Sequence, residues 1–429
     1  MTLQENELAA AGDGEAPAGP TGSRRPDGRA ARVELLDATG ALAAAARLAD
    51  EFATGAASRD RERILPFEQL HRLALSGLLA ITVPRAFGGP GLPASVVAEV
   101  VRRISWADPS IGQIPLSHFV YLNQLRLQGS REQQERLFGE ALAGRWFGNA
   151  QSERGTKHVR DFRTTLTGDD RGDGWRLNGT KFYCTGALFA DWIPVLAHLG
   201  PDGPLHVAWV RRGADGVSVV DDWDAVGQRT TASGTATFTD VAVGQEWITD
   251  YAEVFTGPTT YGSFAQLIHA AIDTGIARAA LDDAAAFVTT KSRPYPDAVA
   301  IHGIDRAAQD PVVVHTFGEM ELAVRGAEAL LAEAGRAVDT ADGGLSEESA
   351  AAAALAVAAA RASSTRVSVE VSSRLLEVAG TRAALSAEGL DRHWRNARTH
   401  TLHDPAAWKL QHLGRWAVEG HLPPRHGQL

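Results

Sequence analysis

Asn178-Gly179-Thr180-Lys181-Phe182-Tyr183-Cys184-Thr185-Gly186 lies in the middle of the chain, where the hydrophobic periodicity changes. Between Trp146 and about Tyr251, β-branched and aromatic residues come in short runs separated by clusters such as Thr167-Gly168-Asp169-Asp170 and Gly172-Asp173-Gly174. This is the pattern of strands joined by turns. It predicts strands over Trp175 to Tyr183, Trp192 to Ala197, His206 to Val210, Val217 to Val219 and Thr235 to Val243, in a small antiparallel β domain spanning residues 146–254. On the N-terminal side, residues 31–145 read as helical: Leu35, Leu36, Leu42 and Leu48, then Leu70, Leu73, Leu75 and Leu78, recur at three- and four-residue spacing. Three glycines and two prolines in residues 84–91 interrupt that pattern as an irregular loop, and a helix resumes near Ala94. On the C-terminal side, residues 255–429 carry alanine-rich helical stretches from Ile268 to Thr290, Pro311 to Thr340 and Glu347 to Val378, with a last helix from Pro405. Helices of roughly 25 to 30 residues run ~40 Å and suit a four-helix bundle better than a compact globule. The expected class is therefore α+β: helical domain, β domain, helical bundle.

Composition narrows the function. The 429 residues hold 42 Lys+Arg against 52 Asp+Glu, a net charge of −10. An acidic chain without a long basic run lacks the electrostatic footprint of a general nucleic-acid binder. The longest apolar run, Ala350 to Ala360, is about half of the ~20 residues a membrane span needs. A single cysteine, Cys184, excludes an intrachain disulfide and a cysteine-cluster metal site and fits a reducing cytosol. Residues 1–30 have no signal-peptide pattern and read as a Gly/Ala/Pro-rich disordered tail, so the expected location is cytoplasmic.

Three segments carry a resemblance. Gly77-Leu78-Leu79-Ala80-Ile81-Thr82-Val83-Pro84 with Phe87-Gly88-Gly89-Pro90-Gly91, the central Asn178 to Gly186 stretch, and Gly227-Gln228-Arg229 through Asp240-Val241-Ala242-Val243 are similar to three signatures of the acyl-CoA dehydrogenase superfamily. The dehydrogenases' catalytic Glu is not matched; that position reads His403-Asp404-Pro405, where Asp404 has the look of a helix N-cap before a first-turn proline. The run from Asp391 to Pro405 resembles instead the flavin-dependent monooxygenases that share this fold, of the dibenzothiophene monooxygenase type and within them the sulfur-acquisition oxidoreductase subfamily. The Ile111-Gly112-Gln113-Ile114-Pro115 run and the Phe182 to Trp192 stretch carry the same likeness.

The resemblance implies a site. A reduced flavin that takes up oxygen at C4a wastes it as hydrogen peroxide unless N5–H is held and water excluded. Thr185 matches the family's hydroxyl at that place, and Tyr183 and Thr185 match side chains that flank the flavin. Oxygen transfer must end in protonation, which an imidazole performs near neutral pH. The family match puts His118 and His403 in that role, with Asn149 nearby and His400 beside them. Trp223 is expected near the flavin ring, and Arg293, Gly380 and Arg382 at its phosphate, where one contact crosses a subunit interface in relatives. His400, His403 and Asp404 also admit a metal-ligand reading through their i, i+3 spacing. That reading puts the pair at a helix start, and no further His/Cys cluster joins it, so no metal is expected.

No Gly-x-Gly-x-x-Gly between strand and helix, no P-loop and no Gly-x-Ser-x-Gly occurs. The chain is thus expected to have no NAD(P)H-binding domain of its own, and the resemblance implies that it takes FMNH2, in preference to FAD, from a separate NAD(P)H-dependent flavin reductase and uses O2 on a small organosulfur compound as a homotetramer. The alternatives are acyl-CoA dehydrogenation, amine or carbon hydroxylation on the same fold, and a non-catalytic flavin-binding scaffold.

Overall fold

The computed structural model describes residues 32–169 and 174–428; the tail expected at 1–30 and most of the turn expected at 172–174 lie outside them. Seven helices come first: α1 (Ala38–Ala53), α2 (Ala56–Glu62), α3 (Phe67–Leu75), α4 (Ala94–Ala107), α5 (Pro109–Gln113), α6 (Leu116–Gln128) and α7 (Arg131–Leu142). Local chemistry sets their ends. Asp37 caps α1 by accepting the Gly40 N–H at 2.7 Å, Asp108 caps α5 ahead of Pro109, and Ser130 with Gln133 forms a capping box on α7. Between α3 and α4, Gly89 could not be another residue: a Cβ there would stand 2.2 Å from the Val83 carbonyl oxygen.

The sheet follows, as β1 (Thr165–Gly168), β2 (Trp175–Lys181), β3 (Trp192–Leu199), β4 (Leu205–Arg211), β5 (Val217–Val220), β6 (Thr235–Val243) and β7 (Ile248–Asp250), in the order β5-β6-β2-β1-β3-β4-β7. Two strands, β1 and β7, were not among those expected: β7 is three residues long, too short for a period-two pattern to register, and β1 is four residues ending in glycine. The β1–β3 pair is parallel and the other pairings are antiparallel, so the sheet is mixed and not purely antiparallel as expected. β2 also ends at Lys181 instead of Tyr183, because Tyr183 takes a left-handed backbone (φ 60°) and turns the chain out of the sheet.

The C-terminal half holds α8 (Tyr261–Thr290), α9 (Pro296–His302), α10 (Pro311–Gly343), α11 (Glu347–Ala379), α12 (Asp391–His400) and α13 (Ala406–Glu419). α8, α10 and α11 are the long members of the bundle; α12 and α13 pack on α11. α8 is buried almost throughout because α4 covers it on the side away from the bundle, and its Gly275 permits the approach: a Cβ there would meet the Arg102 carbonyl at 2.5 Å. Among the described residues no helix is long and apolar enough to cross a membrane.

Candidate functional site

The central stretch builds one wall. A bulge between Leu177 and Gly179 turns Lys181 inward, where it is fully buried and bonds Glu153 at 2.8 Å and the Gln151 carbonyl at 3.0 Å. Beyond it the Cys184 N–H bonds the Gly234 carbonyl, which pins the exit loop against the end of β6. Tyr183, 52% exposed, meets Trp223 edge to face at 6.0 Å, with Phe182 against both. Asn149 ties this loop down by donating from Nδ2 to the Tyr183 carbonyl at 3.1 Å.

Thr185 stands at the head of a hydroxyl chain. Its Oγ lies 2.6 Å from Ser233 Oγ, Ser233 lies 2.7 Å from Thr231 Oγ, and Thr231 lies 3.0 Å from the Gln228 carbonyl. A carbonyl can only accept, so Thr231 donates to it; Ser233 must then donate to Thr231, and Thr185 to Ser233. The one proton of Thr185 is thereby committed and its lone pairs are left as an acceptor. The same Gln228 carbonyl also accepts the Trp223 indole N–H at 2.9 Å. Gln228 is 1% exposed, yet neither of its side-chain polar atoms has a protein partner. Four of the five described non-glycine residues with positive φ, Arg63, Tyr183, Gln228 and Ala232, hold this region; strain of that kind concentrates where a site over-determines its backbone.

A second cluster of sequence-predicted residues comes from α8, α11 and the connection between α12 and α13. His403 donates from Nδ1 to Asp404 Oδ1 at 3.2 Å, and its side chain is 45% exposed. Asp404 is not the helix cap the sequence suggested. Pro405 occupies the cap position of α13, and the Asp404 carboxylate is buried between Arg361 (3.3 Å) and Lys409 (2.8 Å). Burial works against its charge, but His403, Arg361 and Lys409 hold its pKa far below the usual carboxylate range. His400 closes α12 and His403 lies just beyond it, so neither starts a helix. His400 is buried with both ring nitrogens committed: Nδ1 to Asp273 Oδ1 at 2.6 Å, Nε2 to His269 Nδ1 at 3.0 Å. No nitrogen of His400 is left for a cofactor.

His118 is likewise committed. Fully buried on α6, it donates from Nε2 to the Leu79 carbonyl at 2.7 Å, accepts the Phe147 N–H at Nδ1 (3.1 Å) and stacks on the Phe147 ring. Burial pushes its pKa down to about 4. In this geometry it is a neutral strut between the helical layer and the start of the sheet.

Arg293, Gly380 and Arg382 gather at the far end of the bundle. Ser292 donates to the Ala379 carbonyl and Arg382 to the Lys291 carbonyl, Gly380 ends α11 at φ 77°, and Arg293 makes no ion pair or hydrogen bond among the described residues. From His269 to Lys291 along α8 is roughly 30 Å at ~1.5 Å per residue, beyond the reach of one bound FMN. Sequence reasoning missed Thr231, Ser233, His269, Asp273, Arg361 and Lys409. The visible signal for one pair was His269 and Asp273 four residues apart on an otherwise apolar helix. Among the described residues no group of three or more His, Cys, Asp or Glu side chains is placed to hold a metal ion.

The order of layers is that of the acyl-CoA dehydrogenases: family models for the N-terminal, middle and C-terminal domains of acyl-CoA dehydrogenase match residues 41–145, 150–241 and 267–407. Dibenzothiophene monooxygenase from Rhodococcus qingshengii is 34% identical over 397 residues, 89% of this chain and 94% of the relative. The crystal structure of FMN-bound TdsC from Paenibacillus sp. A11-2 superposes with a TM-score of 0.84 at 33% identity, over 91% of this chain and 100% of that one. Methanesulfinate monooxygenase MsuC from Pseudomonas fluorescens does so at 0.82 and 32%, over 90% and 99%. The chain belongs to the flavin-dependent monooxygenase branch of the acyl-CoA dehydrogenase superfamily.

Proposed function

We propose that this protein is an FMNH2-dependent two-component monooxygenase that oxygenates a small organosulfur compound, with reduced flavin delivered by a separate NAD(P)H-dependent reductase in the cytoplasm. The observation that carries the reading is the polarity of the hydroxyl chain: Thr185, beside the Tyr183–Trp223 pair, is left as an acceptor, which is what a reduced flavin's N5–H requires. The unpartnered amide of Gln228, the residue whose carbonyl ends that chain, supports the fit. Bound as FMNH2, the cofactor would supply the two electrons that let O2 divide between the substrate and water. Thr185, Tyr183 and Trp223 would hold its ring. His403, with its Nδ1–H fixed by Asp404 and its Nε2 open to the site, is the group able to hold and release a proton there. We assign His118 to structure and not to proton transfer, and the Arg293–Arg382 end of the bundle to the phosphate of a flavin bound in a second subunit, within a homotetramer. Against acyl-CoA dehydrogenation, Asp404, which stands where the dehydrogenases' catalytic Glu would, is locked between Arg361 and Lys409 and is not a free base.

The test is incubation with FMNH2, 18O2 and a panel of sulfides, sulfones and sulfinates. Labelled oxygen in a sulfur product, dependent on FMNH2, is expected. Reduction of bound flavin by an acyl-CoA, with no labelled product from any sulfur compound, would replace this reading with dehydrogenation.

A further inference from the structure

Two carboxylate–histidine chains converge behind the proposed proton donor, and one buried guanidinium clamps both. Arg361, 1% exposed, bonds Asp273 through Nη1 and Asp404 through Nη2. From Asp404 the first chain is one link long and ends on His403. From Asp273 the second runs through His400 to His269 on α8. The two end rings, His403 and His269, stack with centroids 3.8 Å apart at 36°.

Hydrogen-bond polarity fixes every tautomer in the second chain. Burial raises the Asp273 carboxyl, but His400 and Arg361 outweigh it and hold the pKa below its ordinary value, so Asp273 only accepts. His400 therefore carries its proton on Nδ1, and a neutral His400 presents a lone pair at Nε2. His269 must donate from Nδ1 to that lone pair, which leaves its own Nε2 as an acceptor with no hydrogen bond among the described residues. His269 is 3% exposed. The charged and titratable groups around it are His400 from α12, His403 and Asp404 from the connection, Arg361 from α11 and Asp273 on α8 itself, with Lys409 of α13 behind Asp404. Two imidazolium rings stacked at this separation repel strongly, so the pair carries one positive charge at most. His403 is the more solvated ring and sits directly on a carboxylate; His269 is enclosed.

We propose that Asp273, His400 and His269 are positioning residues for His403: they hold behind it a neutral imidazole of fixed tautomer, so that the one proton the stacked pair can add resides on His403. The arrangement keeps a half-exposed ring, otherwise tethered by one 3.2 Å hydrogen bond, facing the site with its Nε2 presented. Its use in catalysis rests on the proposed function above, but its existence does not.

The experiment is long-range nitrogen NMR of protein labelled in its histidines, without flavin, titrated from about pH 5 to 9. In the parent, His269 and His400 should both show the Nδ1–H tautomer throughout. In His403→Phe, which keeps a stacked ring but removes the competing site, the titration of His269 should rise by about one pH unit or more. An Nε2–H tautomer at His269, or a His269 titration indifferent to His403→Phe, would overturn the proposal. The parent spectrum alone decides the tautomer should the variant fail to fold. Absence of sulfur oxygenation would remove the proposed reaction and leave these spectra unchanged, so the two failures are distinguishable.

Discussion

At the residue scale the sharpest claim concerns Thr185. Valine keeps its β-branched shape and deletes the only acceptor at the head of the hydroxyl chain. Thr185→Val should bind FMN normally and release about fivefold more hydrogen peroxide relative to sulfur product, the scale of one neutral hydrogen bond of ~1 kcal/mol. Peroxide and product assays on the same turnover check it, and an unchanged ratio would remove the hydroxyl from the reaction. Asp404 gives a second expectation. Asp404→Asn leaves Arg361 and Lys409 facing each other across a buried site, so denaturant titration near neutral pH should show a loss of about 3–5 kcal/mol. Because the folded-state pKa of Asp404 is depressed, its contribution is present above the unfolded value near 4 and is lost as pH falls below it. The asparagine variant should therefore lose less stability than the parent between about pH 5 and pH 2. Thr185 and His403 were candidates from the sequence because short motifs carry them. Their supports were not: Ser233 is 48 positions from Thr185 and Asp273 is 127 from His400, distances that no local pattern spans. The helix-cap reading of Asp404 failed for a related reason, since Asp-Pro before a helix looks the same whether the carboxylate turns toward the N–H groups or toward a buried arginine.

At the scale of elements, what could be read was whatever a period of 3.6 or 2 records. The long helices and the five longer or more regular strands appear in the sequence within a few residues, whereas β1 and β7 are four and three residues long and carry no pattern of their own. The parallel β1–β3 contact is a matter of topology, which periodicity does not encode. Helix proximity is another such property, and Gly275 tests it. Gly275→Ala on α8 drives a Cβ to 2.5 Å from the Arg102 carbonyl and 2.8 Å from Ser105 Cβ; backbone cannot yield as a flexible side chain would, and the variant should lose about 1–3 kcal/mol. Gly139→Ala on α7 meets nothing within 4 Å and should gain up to about 1 kcal/mol from helix propensity. Thermal melts of both variants against the parent separate packing from propensity, and a destabilised Gly139→Ala with a tolerated Gly275→Ala would reverse the argument.

At the scale of the whole molecule, the residues proposed to hold the flavin ring and those proposed to hold its phosphate fall at separate places along α8. His269 and Asp273, which support His403, lie in the first half of α8, while Arg293 and Arg382 lie past its end, roughly 30 Å from His269. Apolar side chains left in solvent, among them Val312, Leu322 and Val418 at 73%, 74% and 83% exposure, are the kind of surface a second copy covers. If the site is completed between subunits, defects in its two halves should complement each other. An Arg293→Ala/Arg382→Ala chain and a His403→Ala chain should each be inactive as pure assemblies, the first through weak FMN binding and the second through peroxide release. After co-expression in equal amounts, half of the paired interfaces unite unlike chains, and in each of those one site inherits both defects while the other inherits neither. Activity should therefore return to about a quarter of the parent's, in a species whose light scattering matches a tetramer. If each chain builds its site alone, no combination of the two repairs any site, and the mixture stays as inactive as its parts.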